Sequence, residues 1–198
     1  LALVVVWSMI ISLMVLLGTL PFGWIWFCCF ILQGFALQLL AFISHDLFNH
    51  RQVGGPLVTR IGSILCLTPL LFSATAVIKT HHEHHRFFGT EDDSEAYKKD
   101  LDRRWVKLLF LSFPGILLVI NRKLSRQSTT DLAYMGKARH RDNETVRKIV
   151  FDQKVVVVFL AGMLVLGFFW PSFIFLGYFL PLLFATPLAS TCRTILEH

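Results

Sequence analysis

Two histidine-rich segments, His45-Asp-Leu-Phe-Asn-His50 and Thr80-His81-His82-Glu83-His84-His85-Arg86, flank the apolar run Pro56–Ile78 and decide the fold. The run is long enough to cross a membrane, but it contains Arg60 and Pro69. If both segments supply side chains to one centre, they must lie on the same side of the membrane. The run then cannot cross as a single span, and we expect it to be interfacial or re-entrant.

Long uncharged stretches outside this region are typical of an integral membrane protein. The chain has 198 residues, of which 55% are apolar, whereas an average soluble domain has about 45–50%. Charged residues are absent from Leu1–Leu20 and from Pro21–Ser44, and a span needs about 20 apolar residues. We therefore expect an all-α integral membrane protein, and neither a disordered chain nor a disulfide-stapled mini-protein.

Hydropathy predicts two transmembrane helical hairpins, which together make four spans. The predicted spans cover residues 1–20, 22–44, 155–169 and 172–189. Residues 45–154 are predicted to form interfacial helices and a cytosolic cap that carries the histidines. Within them the shorter apolar run Trp105–Ile120 is either a further span or an interfacial helix. Residues 1–198 are expected to form one membrane domain that is incomplete at its C-terminus.

The distribution of charge predicts the orientation in the membrane. All but one of the 19 lysines and arginines fall within residues 45–154, whereas the turns at 18–23 and 170–172 hold no charge. The positive-inside rule places the basic segment, and the histidines with it, in the cytoplasm. Because acidic residues are interleaved with the basic ones and no fingerprint motif accompanies them, we expect no nucleic-acid partner.

The spacing of the histidines predicts a metal site. His81, His84 and His85 are spaced i, i+3, i+4 and share one face of a helix. Neutral imidazoles that converge in this way bind iron, zinc or copper. His45 and His50 are five residues apart, which is about 140° around a regular helix. We therefore expect the helix end to unwind, or the two side chains to straddle a metal pair.

Polar residues close to the histidines are predicted to hydrogen-bond with metal-bound imidazoles, because such ligands usually donate their second N–H. These residues are Asp46, Asn49, Glu83, Asp93 and Glu197. A membrane metal transporter with a histidine-rich cytosolic loop is an alternative interpretation. Transporters tend to keep ionisable ligands within their spans, whereas the histidines here stand at the ends of apolar runs.

The order His45-x4-His50, then His81-x2-His84-His85 after a hydrophobic stretch, resembles the membrane fatty acid desaturase superfamily. The segment from His84 to Glu95 is similar to the second histidine box of that family and its acidic tail. Arg193–His198 is similar to the segment that carries a further histidine after the last span of many bacterial members. The third box of the family, His-x2-His-His, would follow His198, so we expect a bacterial-type member that is truncated before this box.

The resemblance implies a non-haem centre with two iron ions, which uses O2 and two electrons to attack an unactivated C–H bond of a lipid chain. The implied iron ligands are His45, His50, His81, His84, His85 and His198, of which the first five are also the implied catalytic residues. His82 matches no ligand position.

The implied activity is that of an oxygen-dependent fatty acid (acyl-lipid) desaturase. A fatty acid hydroxylase or a carotenoid ketolase or hydroxylase of the same superfamily is the alternative. The implied partners are a lipid or acyl-chain substrate, membrane lipids, and an electron donor of the ferredoxin, rubredoxin or cytochrome b5 type. The implied location is the bacterial inner membrane, with the histidine boxes on the cytoplasmic side.

Overall fold

Four long apolar helices, arranged as two hairpins, form the membrane part of the molecule. The computed structural model describes residues 1–50, 53–88, 90 and 143–189, and the regular structure in them is entirely helical. The first hairpin consists of α1 (Ala2–Thr19) and α2 (Trp24–Ile43). At its end α2 continues as a π-helix, Ser44–His50, which we call the π segment. The all-α membrane fold predicted from the sequence is confirmed.

The second hairpin consists of α5 (Asn143–Phe169) and a helix that we label α6 (Ser172–Ala189), which is π-helical over Ser172–Phe179 and Pro181–Ala185, and α5 already includes residues before the predicted span. The sequence predicted a span from residue 155, with the preceding residues in a cytosolic segment. In the structure Asp152 is already inside the helix and is buried, at 2% exposure. The helix can continue through this acidic residue because Arg60 pairs with its carboxylate.

A sharply bent pair of helices lies between the two hairpins. The helix α3 (Gly55–Leu67) runs into a 3-10 turn, Thr68–Leu70, and α4 (Ala74–Phe87) leaves it at an angle of 100°. Leu71 adopts a left-handed conformation with φ of 62° at the bend. The Tyr178 hydroxyl of α6 donates a hydrogen bond to the Pro69 carbonyl. The region 56–78 is therefore not one straight helix, as an interfacial or re-entrant run requires, and its failure to cross the membrane stays a prediction.

The two sides of α3 differ in what they contact. Gly62 and Cys66 are buried against the rest of the molecule. Leu57, Ile61 and Leu65 are exposed on the other side, where they form an apolar stripe. A helix with such a stripe is suited to contact with lipid along its outer side.

Small residues let the two hairpins pack closely, as is common between membrane helices. A β-carbon added at Gly34 of α2 would overlap the backbone of Ala185 in α6. A β-carbon at Gly177 of α6 would lie 2.8 Å from the Met14 carbonyl oxygen of α1. The Gln33 amide donates to the Gly177 carbonyl at 3.0 Å. These contacts fix α2, and therefore the π segment at its end, relative to the other spans.

The apolar run Trp105–Ile120 lies outside the described residues, so its prediction as a span or an interfacial helix stays open.

Candidate metal centre

The π segment brings the first two histidines to the same side of the chain. In a π-helix the hydrogen bonds join residues five apart, so such residues stand above one another. His45 and His50 are five apart, and their Nε2 atoms are separated by 3.3 Å. The regular α-helix does end here, as one of the two alternatives expected, but it widens into a π-helix, which removes the 140° offset while keeping the backbone hydrogen-bonded. The other alternative, that the two side chains straddle a metal pair, stays a prediction.

The second pair of histidines comes from the last turns of α4. His81 and His85 are one turn apart, and their Nε2 atoms are separated by 2.9 Å. The Nε2 atom of His81 lies 3.0 Å from that of His50. The two histidine-rich segments are therefore in contact. The chain between them, which forms α3 and the first half of α4, leaves this contact at His50 and returns to it at His81.

His45, His50, His81 and His85 each place one ring nitrogen within 4.8 Å of the other three, which is a spacing suited to a metal ion. Imidazole nitrogens bind transition metals at about 2.0–2.1 Å, and two such ligands at right angles are about 3 Å apart. The nitrogen separations of 2.9, 3.0 and 3.3 Å agree with this value. The donor set, four imidazoles, suits iron, copper, zinc or nickel.

The surroundings of His81 keep its ring uncharged. Desolvation by burial, together with the neighbouring His45, His85 and His50, lowers the pKa of His81 to about 3. A neutral imidazole keeps the lone pair that a metal requires. The crowding of four histidines, which would be repulsive if they were protonated, is thus compatible with a metal site.

Asp46 orients the ring of His45. The Nδ1 atom of His45 lies 2.6 Å from a carboxylate oxygen of Asp46. Because an ionised carboxylate can only accept a hydrogen bond, Nδ1 of His45 must carry the proton and donate it. Nε2 then keeps its lone pair, which faces the cluster. Asp46, one of the polar residues predicted as partners of the histidines, is therefore in direct contact with one of them.

The remaining residues predicted around the site take different positions. His84 is not one of the four grouped histidines; its ring centre lies 6.4 Å from that of His81 and 5.2 Å from that of Phe88. Its prediction as a ligand stays a prediction. Asn49 is buried, and its side-chain oxygen has no hydrogen-bond partner among the described residues. Glu83 is half-buried on α4. His82 is exposed, as expected for a residue that matches no ligand position.

Three of the predicted site residues, Asp93, Glu197 and His198, lie outside the described residues. Their predicted roles as ligand or as hydrogen-bonding partners are therefore untested.

Sequence reasoning missed a buried polar network beside the site. Asp152 of α5 accepts hydrogen bonds from Ser73 and Thr75 at the start of α4, and from Arg60 of α3. Arg60 within an apolar run was the available signal, since a charge in such a position needs a partner. The sequence alone could not identify that partner, which is 92 residues away.

Comparison with known proteins agrees with this geometry. The family profile described as fatty acid desaturase matches residues 21–198, which include both histidine segments and three of the four spans. The chain belongs to the fatty acid desaturase family. It is a multi-pass membrane protein of this family, which is known for histidine-ligated metal centres, and its described residues include a histidine cluster. Searches among curated proteins and among solved structures found no match.

Proposed function

We propose that this member of the fatty acid desaturase family is an oxygen-dependent acyl-lipid desaturase whose histidines hold two iron ions. The observation that carries the proposal is the convergence of His45 and His50 with His81 and His85 at the ends of two different helices. When bound, the iron supplies the chemistry by which O2, two electrons and two protons convert a CH2–CH2 unit into a cis double bond and two water molecules.

In this proposal, the protein fixes the positions of the reacting groups. The π segment and α4 hold four imidazoles in one place, and the Asp46 carboxylate keeps the proton of His45 on Nδ1. His84, which adjoins His81 and His85, is a further proposed ligand, because four nitrogens are few for a pair of ions. His198 is proposed as another.

The acyl substrate would reach the histidines from the membrane. The cluster follows directly on α2, which is uncharged and, apart from the buried Gln33 and Gln38, mostly apolar. An acyl chain alongside the spans can therefore extend towards the histidines without leaving apolar surroundings. Several aromatic side chains of α2 and α6, including Trp24, Phe27 and Phe175, are exposed on the described residues and are suited to contact with lipid.

The proposed orientation has the histidines on the cytoplasmic side, in the bacterial inner membrane. The basic residues of 45–154 support this through the positive-inside rule. The same positive charge would attract an acidic electron donor of the ferredoxin, rubredoxin or cytochrome b5 type, or an anionic lipid headgroup.

A reconstitution experiment tests the proposed function. The purified chain in lipid nanodiscs is loaded anaerobically with ferrous iron, and the iron is counted per chain. Saturated acyl lipid, O2 and a reducing system are then added, and the lipids are analysed by mass spectrometry. A desaturase gives products that are two mass units lighter, whereas a hydroxylase gives products that carry one more oxygen.

The histidine variants supply the controls. We expect His81→Ala to lose iron and product, and His82→Ala, an exposed neighbour on the same helix, to keep both. Normal turnover by the His81 variant would show that this cluster has no role in the reaction. If all the products were hydroxylated, the proposed activity would be that of a hydroxylase and not that of a desaturase.

A further inference from the structure

A buried carboxylate from the third span lies at the first turn of the helix that carries the second histidine pair. The Thr75 backbone N–H donates to Oδ2 of Asp152 at 2.7 Å, and the Ser73 hydroxyl donates to the same oxygen at 3.0 Å. Ser73 also caps α4, since its hydroxyl oxygen accepts the Ala76 N–H at 3.2 Å. A carboxylate in this position satisfies a free N–H of the helix end and interacts favourably with the helix dipole.

Arg60 connects the same carboxylate to α3. Its guanidinium donates to both oxygens of Asp152 and to the Thr75 hydroxyl. The side chain of Asp152 is 2% exposed and that of Arg60 is 26% exposed. A buried ion pair is maintained only when further hydrogen bonds satisfy its atoms, and here the four residues Asp152, Arg60, Ser73 and Thr75 satisfy one another. We call them the Asp152 network.

The network stands at one end of a rigid element, and the histidines stand at the other. α4 is a continuous helix without glycine or proline. His81 lies six residues after Thr75, which is about 9 Å along the axis. A small change in the direction of the first turn is therefore transmitted to the positions of His81 and His85. Even a small displacement of these histidines would affect metal binding, because the ligands of a site must be held within about 0.5 Å of their productive positions.

We propose that Asp152 is a positioning residue, which sets where His81 and His85 lie relative to His45 and His50 by fixing the first turn of α4 against the third span. The proposal rests on the proposed metal centre, and Asp152 itself touches neither the histidines nor the metal. The network thus links α3, α4 and α5 to the geometry of the site.

The test separates positioning from a general loss of stability. Asp152→Asn keeps the size of the side chain and removes its charge, and Glu144→Gln is the matched control, since it breaks an exposed ion pair with Lys148 on the same helix. The double variant Arg60→Met/Asp152→Asn removes both charges, so that no uncompensated charge is left buried. Cobalt(II) is bound to each purified chain in detergent, and its affinity, its visible absorption spectrum and the melting temperature are measured.

We expect Asp152→Asn to lower both cobalt affinity, by roughly 10-fold or more, and the melting temperature. The double variant should regain much of the melting temperature and keep the weak affinity and the altered spectrum. Recovery of affinity together with melting temperature would show that the ion pair only stabilises the fold, and would overturn the proposal.

A second measurement does not depend on any metal. Spin labels on Val53→Cys, which follows the π segment, and Arg86→Cys on α4 report the distance between the two histidine-bearing elements by pulsed electron paramagnetic resonance. Both positions are exposed. We expect a narrow distance distribution in the parent and a broader or shifted one with Asp152→Asn; an unchanged distribution would overturn the proposal. If the parent binds no metal but the distribution changes, the proposed function fails and the positioning role stands.

Discussion

The ring of Phe48 lies directly against Gly62, so that the π segment and α3 touch at a point where one of them has no side chain. Three ring carbons of Phe48 occupy the space that a β-carbon on Gly62 would take. Phe48 lies between His45 and His50 in the sequence and is itself buried. The absence of a side chain at Gly62 is therefore a condition for the position of the first histidine pair.

Replacing Gly62 by leucine should displace the π segment. We expect a loss of about 1–3 kcal/mol in stability, which is typical of overpacking in a close contact, together with weaker metal binding. The melting temperature in detergent and a cobalt titration measure the two effects. Gly162→Leu is the matched control, since nothing lies within 4 Å of a β-carbon there. Equal behaviour of the two variants would show that the contact with Phe48 has no such role.

Asp46 is expected to tune the metal affinity through His45. Because its carboxylate lies 2.6 Å from Nδ1 of His45, Asp46→Ala should lower metal affinity by roughly 10–100-fold, as is typical when the partner of a ligating histidine is lost. Competition with a chelator measures the affinity. Glu83→Ala serves as the control on α4. If Glu83→Ala weakens binding as much as Asp46→Ala does, the sequence-based prediction for Glu83 gains support and the specific role of Asp46 is lost.

His84 distinguishes one bound ion from two. The four grouped nitrogens can hold one ion, and a second ion needs further imidazoles. His84 adjoins His85, with ring centres 5.7 Å apart. We expect His84→Ala to bind about half the iron of the parent, measured as iron per chain, while His82→Ala binds the full amount. A full complement of iron in the His84 variant would exclude this residue as a ligand.

The sequence allowed much of the fold to be predicted, because uncharged length alone identifies spans such as Ala2–Thr19. The bend within residues 56–78 is consistent with the chemical argument that this run is not a single straight span, and that it does not cross the membrane stays a prediction. The start of α5 at Asn143 could not be predicted, since Asp152 is tolerated only through its contact with Arg60. Helical spacing placed His81, His84 and His85 on one face, but the structure groups only His81 and His85 with the first pair.

The same-side arrangement of the two histidine segments can be tested by labelling in intact vesicles. Val53 and Thr90 are exposed positions that follow the π segment and α4. In a cysteine-free background, Val53→Cys and Thr90→Cys should both react with an impermeant reagent from the cytoplasmic side, because His50 and His81 are in contact. Gly23→Cys, in the turn between α1 and α2, should react only from the other side, since α2 crosses the membrane between the two. Reaction of Val53→Cys and Thr90→Cys from opposite sides would make 56–78 a true span and separate the two halves of the metal site.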